Sequence, residues 1–264
     1  MSTSTLHTNQ ITPLLDQYGS RVDVEVVEET GSTNADLMAR LPLLQGPLLR
    51  VAERQTAGRG RAGRVWHSVP GGVLTFSLAW RFRQQAQGLL GLPLAVGVAV
   101  AEVLLAHSVP VQLKWPNDIL KDGKKLAGIL IESSPIPDHE GGGTWAVIGI
   151  GLNLRIPHEL EAEIGNAVAD APWLAQMDRN ILMAHLLNGL AQALGQFEQQ
   201  GFTAFTARWN GMHAYAQQMV RILDQGQLVH EGIAAGVDAS GCLCLLTQQG
   251  PVTVVAGDVS LRPV

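Results

Sequence analysis

Gly58-Arg59-Gly60-Arg61-Ala62-Gly63-Arg64 sets three arginines among three glycines in a chain whose net charge is −5. Guanidinium forks pair with carboxylate or phosphate oxygens, and glycines free the backbone to fold over a ligand. The spacing is not a dinucleotide fingerprint, because a strand-like segment rather than a helix follows it. It is not a P-loop either, because no Gly-Lys-Ser/Thr follows. Three other polar stretches interrupt apolar segments. Thr30-Gly31-Ser32-Thr33-Asn34 offers donors and acceptors for an uncharged polar ring such as a urea or amide, and equally caps a helix. Lys114-Trp115-Pro116-Asn117-Asp118 puts a base, an indole and an acid at one strand end, although Pro-Asn-Asp is also plain turn chemistry. Lys125 opens the apolar run LAGILIE; an exposed lysine at a turn is usually just solvated, whereas one entering a dry cleft stabilises negative charge in acyl transfer. Asn153, in GIGLNL, reads as a satisfied polar group on an apolar strand.

The elements that must carry these residues follow from periodicity. Alternation predicts strands over 22–29, 48–54, 71–82, 111–115, 126–133 and 145–154, with Asp122-Gly123 as a hairpin tip between the fourth and fifth. Helical spacing predicts helices after Ser32, over 92–107 and over 179–199. Hairpin-length turns outnumber helical crossovers, so the fold class is α+β with a mixed, largely antiparallel sheet and flanking helices. From about residue 218, short strands alternate with turn signals in the manner of a small β-barrel. We therefore expect two domains, 1–217 and 218–264.

Composition narrows the function. With 46% hydrophobic and 16% charged residues over 264 positions the chain is globular. It lacks 18 consecutive apolar residues and a secretory leader, so we expect a cytoplasmic protein that does not engage membrane. Cys242 and Cys244 read as ordinary buried thiols. No His or Cys spacing suits a protein-ligated transition metal. The acidic balance argues against nucleic acid, and residues 218–264 themselves carry more acid than base.

Taken in order, ETGSTN, ERQTAGRGRAGRVWHS, LKWPNDIL, KKLAGILIE, IGIGLNL and the closing GDVSLRP resemble the bacterial biotin protein ligases, from about Val26 onward. The resemblance implies a catalytic fold like that of class II aminoacyl-tRNA synthetases, followed by an SH3-like barrel. It implies that biotin and ATP, with Mg²⁺ on the triphosphate, give biotinyl-5′-AMP and pyrophosphate. The biotinyl group then passes to a lysine of a biotin carboxyl carrier protein, as in acetyl-CoA carboxylase. By the same resemblance Ser32, Thr33, Asn34 and Gln55 hold the ureido ring. Arg59, Gly60 and Arg61 close over the carboxylate and the adenylate phosphate. Lys125 contacts the reacting carboxyl, and Trp66, Asn117 and Asn153 lie on the adenylate and ATP side. Asp118 is a candidate base for the transfer step. With 29 residues before Thr30, we expect a ligase without the DNA-binding repressor domain of some relatives. Lipoate or octanoate ligation is the nearest alternative, and a non-catalytic carrier-binding scaffold a more distant one. Outward-facing strands in VQLKW or WAVIG would allow a homodimer.

Overall fold

The computed structural model describes residues 5–157, 168–257 and 259–264. Asp258, within GDVSLRP, lies outside the described residues. After a short helix α1 (Thr8–Ile11), strands β1 (Asp23–Thr30) and β2 (Leu48–Gln55) run parallel and are joined by α2 (Thr33–Arg40). Strands β3 (Val73–Phe82), β4 (Gln112–Lys114), β5 (Asp118–Lys121), β6 (Lys124–Pro135) and β7 (Thr144–Asn153) complete a sheet of order β1-β2-β3-β7-β6-β5-β4. Every pairing in it except β1–β2 is antiparallel, as the turn lengths predict.

Strand alternation divides the sheet into two faces. Leu49, Leu78 and Ile148 point into the main core, against α3 (Leu92–Ala106) and α4 (Arg179–Gln200). Their neighbours Leu48, Ala79 and Val147 point the other way, into a smaller cluster under Leu37 and Leu41 of the α2 region. The stretch Ala86–Ala106 is apolar and long enough to cross a membrane by length and composition. Here α3 is a core helix instead, with Leu94 through Ala101 buried without a break between the sheet and α4.

A short helix α5 (Thr206–Gly211) leads to the second sheet, five antiparallel strands in the order β11-β10-β9-β8-β12. These are β8 (Met219–Asp224), β9 (Gln227–Val237), β10 (Leu243–Thr247), β11 (Gly250–Val254) and β12 (Val259–Pro263). Val220, Ile222, Leu243, Leu245 and Leu261 belong to the same continuous core as the larger sheet. The indole of Trp115 donates to the Gly241 carbonyl at 3.2 Å across that junction. A unit this small buries little by itself, so sharing a core with the larger sheet is the physical solution.

Three expectations need correction. The Asp122-Gly123 turn joins β6 to β5, not to VQLKW, because Ile119 and Leu120 are buried and pull Asp118–Lys121 into the sheet as a strand of its own. The chain reverses between β4 and β5 through a cis Trp115–Pro116 peptide. WAVIG cannot be an edge, since β7 is paired with β3 on one side and β6 on the other. VQLKW does lie at the edge, but Leu113 bonds Met212 O and Ala214 N, which covers it at that point. Finally, Cys242 and Cys244 are half-buried rather than buried, and both are free thiols whose pKa partial burial pushes up.

Candidate active site

Parallel pairing builds the first part of the site. Thr30 lies opposite Gln55 in the β1–β2 register, so the loop entering α2 and the end of β2 meet at one edge of the sheet. Ser32 caps α2 as expected, accepting from Ala35 N at 3.4 Å, and it also lines the cavity. Gln55 Oε1 accepts from Thr33 N at 2.7 Å and from Thr33 Oγ1 at 3.0 Å. Thr33 Oγ1 lies 2.6 Å from Ser77 Oγ, which donates to Asn34 Oδ1 at 2.6 Å. Asn34 Nδ2 donates to Glu132 Oε2 at 2.9 Å. Thr33, Asn34 and Ser77 are all buried, so these dipoles are held in fixed orientations away from solvent.

Beneath them β6 and β7 present glycines. Gly149 lies opposite Ser77 and Leu130, and Gly151 opposite Thr75 and Gly128, so the three glycines open a trough on the α2 face. A Cβ at Gly149 would overlap the Asn34 carboxamide, and one at Gly151 would overlap the Trp66 indole. Glycine interrupting a strand often marks such a close approach. The trough encloses a narrow cavity of about 50 Å³, lined by Ser32, Thr33, Asn34, Gln55, Arg59, Lys125 and the glycine floor.

The glycine–arginine segment closes one side as a compact hairpin. Trp66 N bonds Gly58 O at 2.9 Å, Gly60 N bonds Arg64 O at 2.7 Å, and Ala62 takes a left-handed φ of 53° at the tip. Arg59 pairs with Glu132 at 3.0 Å. Arg61 donates to Asn117 Oδ1 at 3.0 Å and to the carbonyl of Gly257, tying the hairpin to both sheets. By contrast, Glu53 and Arg54 turn away from the loop, to Arg179 and Glu29 respectively.

A second cavity, about 440 Å³, opens beyond Trp66 and shares Gly60, Arg61, Trp66, Asn117 and Lys125 with the first. Arg64, Lys114, Asp118, Tyr215 and Arg262 also line it, the last contributed by β12. Lys125 Nζ sits 2.6 Å from Asp118 Oδ1 and 5.5 Å from the centroid of Trp66. Burial lowers the pKa of Lys114, opposed by Asp118 and aided by Arg262 and Lys125. Burial likewise raises that of Tyr215, with Arg262 opposing and Asp118 adding. Asn153 donates to the carbonyls of Lys125 at 3.4 Å and Ala169 at 3.1 Å, so its amide NH₂ is spent holding the strand that presents Lys125. All twelve site residues expected from the sequence line one or both cavities. A neutral polar cradle thus leads through a cationic neck to a wider cationic chamber, which suits a molecule with a polar ring, a carboxylate and a phosphate in series.

The sequence profile of the Biotin/lipoate A/B protein ligase family matches residues 24–153, and that of the Biotin protein ligase C terminal domain matches residues 218–262. The chain is 37% identical over 246 residues to the biotin–[acetyl-CoA-carboxylase] ligase of Mycobacterium tuberculosis, covering 89% of this chain and 88% of that protein. The chain belongs to the biotin protein ligase family. It is also 34% identical over 247 residues to the bifunctional ligase/repressor BirA of Escherichia coli, covering 90% of this chain and 74% of BirA. In three dimensions this ligase resembles the biotin protein ligase of Aquifex aeolicus in complex with biotin and ATP, with a TM-score of 0.73 and 28% identity. That match covers 92% of this chain and 99% of the Aquifex chain. Sequence reasoning passed over Ser77, Glu132, Gly128, Gly149 and Gly151. The glycines at alternate positions of an otherwise apolar strand, GIG, were the available signal.

Proposed function

We propose that this ligase joins biotin to ATP and then passes the biotinyl group to one lysine of a biotin carboxyl carrier protein, in the cytoplasm. The observation that carries this reading is the continuity of the two cavities past Lys125, with the hydroxyl–amide cradle at one end and Arg61, Lys114 and Arg262 at the other. Ser32, Thr33, Asn34 and Gln55 receive the ureido ring. Arg59, Gly60 and Arg61 cover the carboxylate and the α-phosphate, and Lys125 meets the reacting oxygens. Trp66, Asn117 and Asn153 border the nucleotide, which enters as its Mg²⁺ complex.

In the first step a carboxylate oxygen of biotin bonds to the α-phosphorus while the bond to the β-phosphate oxygen breaks, releasing pyrophosphate. Both reactants are anionic, so the approach needs positive charge on each side, which Arg59, Arg61 and Lys125 supply at the neck. The hairpin also shields the mixed anhydride from water. In the second step the carrier amine bonds to the carbonyl carbon, AMP leaves, and Asp118 accepts the amine proton. Mass spectrometry of the products from Mg-ATP with equal biotin and lipoate tests the reading. Biotinyl-AMP alone is expected; lipoyl-AMP, or no adenylate, would overturn it.

A further inference from the structure

Arg59 is half-exposed on a glycine hairpin, and its charge needs a fixed anchor if it is to meet a substrate in one geometry. That anchor is Glu132 on β6, a strand interior to the sheet. Both bonds between them, at 3.0 and 3.2 Å, come from a single guanidinium nitrogen, Nη2. Arg59 Nε and Nη1 make no hydrogen bond to the described residues and remain available to ligand oxygens. The same oxygen of Glu132, Oε2, also accepts from Asn34 Nδ2 at 2.9 Å. One carboxylate oxygen therefore joins the loop arginine to a chain running through Asn34, Ser77 and Thr33 to Gln55.

We propose that Glu132 is a positioning residue for the ligation reaction: it holds Arg59 by Nη2, keeps the rest of the guanidinium fork free for the acyl-adenylate, and couples that grip to the ureido cradle through Asn34. The proposal rests on the function given above. A charged hydrogen bond between two partly solvated groups decides where the flexible side chain spends its time. A ligand in the cradle bears on the same Asn34 that holds Glu132, and the arginine that Glu132 grips closes over the carboxylate end of that ligand.

The test is the release rate of enzyme-bound biotinyl-AMP, formed in place and chased with unlabelled ligand. It is read for the wild type, Glu132→Gln, Arg59→Gln and the double variant. Glutamine keeps an acceptor for Asn34 but loses the charge that grips Arg59. Glu132→Gln is expected to release adenylate about tenfold faster, and the double variant no faster than Arg59→Gln alone. Independent, multiplying effects would overturn the proposal, as would a wild-type release rate in Glu132→Gln. If Glu132→Gln fails to fold, Glu132→Asp is read in its place, with an intermediate rate expected and a wild-type rate overturning. Failure of the wild type to form any adenylate would instead refute the proposed function, which keeps the two failures apart.

Discussion

Lys125 Nζ lies 2.6 Å from Asp118 Oδ1, so the two charged groups expected to act in successive steps of one reaction are already paired. The pairing is made by the hairpin, which sets Leu120 opposite Lys125 with a register shift just before it. Lys114 Nζ approaches the other carboxylate oxygen at 3.7 Å, leaving Asp118 a counter-ion when Lys125 turns to substrate. Asp118→Asn is therefore expected to leave adenylate formation within about threefold of wild type and to slow transfer to the carrier by about a hundredfold. Single-turnover measurements of pyrophosphate release and of carrier biotinylation separate the steps. Equal loss in both would remove Asp118 from the role of base.

The glycine floor gives a sharper steric prediction. A methyl group at residue 149 would occupy the space of the Asn34 carboxamide, which is itself held by Ser77 and Glu132. Gly149→Ala should thus displace Asn34 and raise the biotin KM by at least about tenfold, the size expected from losing a buried hydrogen bond. The KM for ATP should stay nearly constant, because the second cavity does not include Gly149. A variant with both constants unchanged would mean that Asn34 has room to move.

Stability rests partly on a buried ion pair remote from the chemistry. Arg179 donates to both oxygens of Glu53, at 2.8 and 3.0 Å, and is 3% exposed. Glu53 Oε1 also accepts from Leu6 N, which ties the N-terminal segment to β2. Glu53→Ala removes this carboxylate from a buried guanidinium, at a cost of about 3–5 kcal/mol in urea denaturation. The double change Glu53→Leu, Arg179→Met should cost less than Glu53→Ala alone, because the buried guanidinium is then removed together with its carboxylate. A single-variant loss below about 1 kcal/mol would contradict this.

Much of the site was legible because its residues lie in short polar interruptions of apolar strands, where turn and loop chemistry stands out: GSTN, the glycine–arginine hairpin and KWPND all do. The order of those motifs then assigned roles that spacing alone left open, Gln55 among them. Ser77 and Glu132 were not legible, since a serine or glutamate on a strand usually marks the solvent face. Here that face is roofed by α2 and the hairpin, a long-range fact that local alternation does not carry. The strand at 118–121 was hidden for a similar reason. Four residues between a Pro-Asn turn and an Asp-Gly turn are too few for a period, and only the burial of Ile119 and Leu120 makes them pair.

His213 offers a pH-dependent prediction at the junction of the two sheets. It is 4% exposed, its ring lies tilted against Trp209 with centroids 4.7 Å apart, and neither ring nitrogen has a hydrogen-bond partner among the described residues. Burial accordingly holds its pKa down at about 4, against an ordinary 6.5. Above pH 7 the ring is neutral whether the chain is folded or not, so it contributes no pH dependence there. As pH falls below 6.5 the unfolded chain takes up the proton first, and stability drops until the folded ring also protonates near pH 4. That window is worth about 3 kcal/mol at full extent. His213→Leu removes the titration while keeping an apolar side chain beside Trp209. Its stability relative to wild type should therefore rise by about that amount between pH 7.5 and pH 4, measured by urea denaturation. Parallel curves for the two proteins would show that the buried imidazole gains a partner on protonation and does not govern acid unfolding.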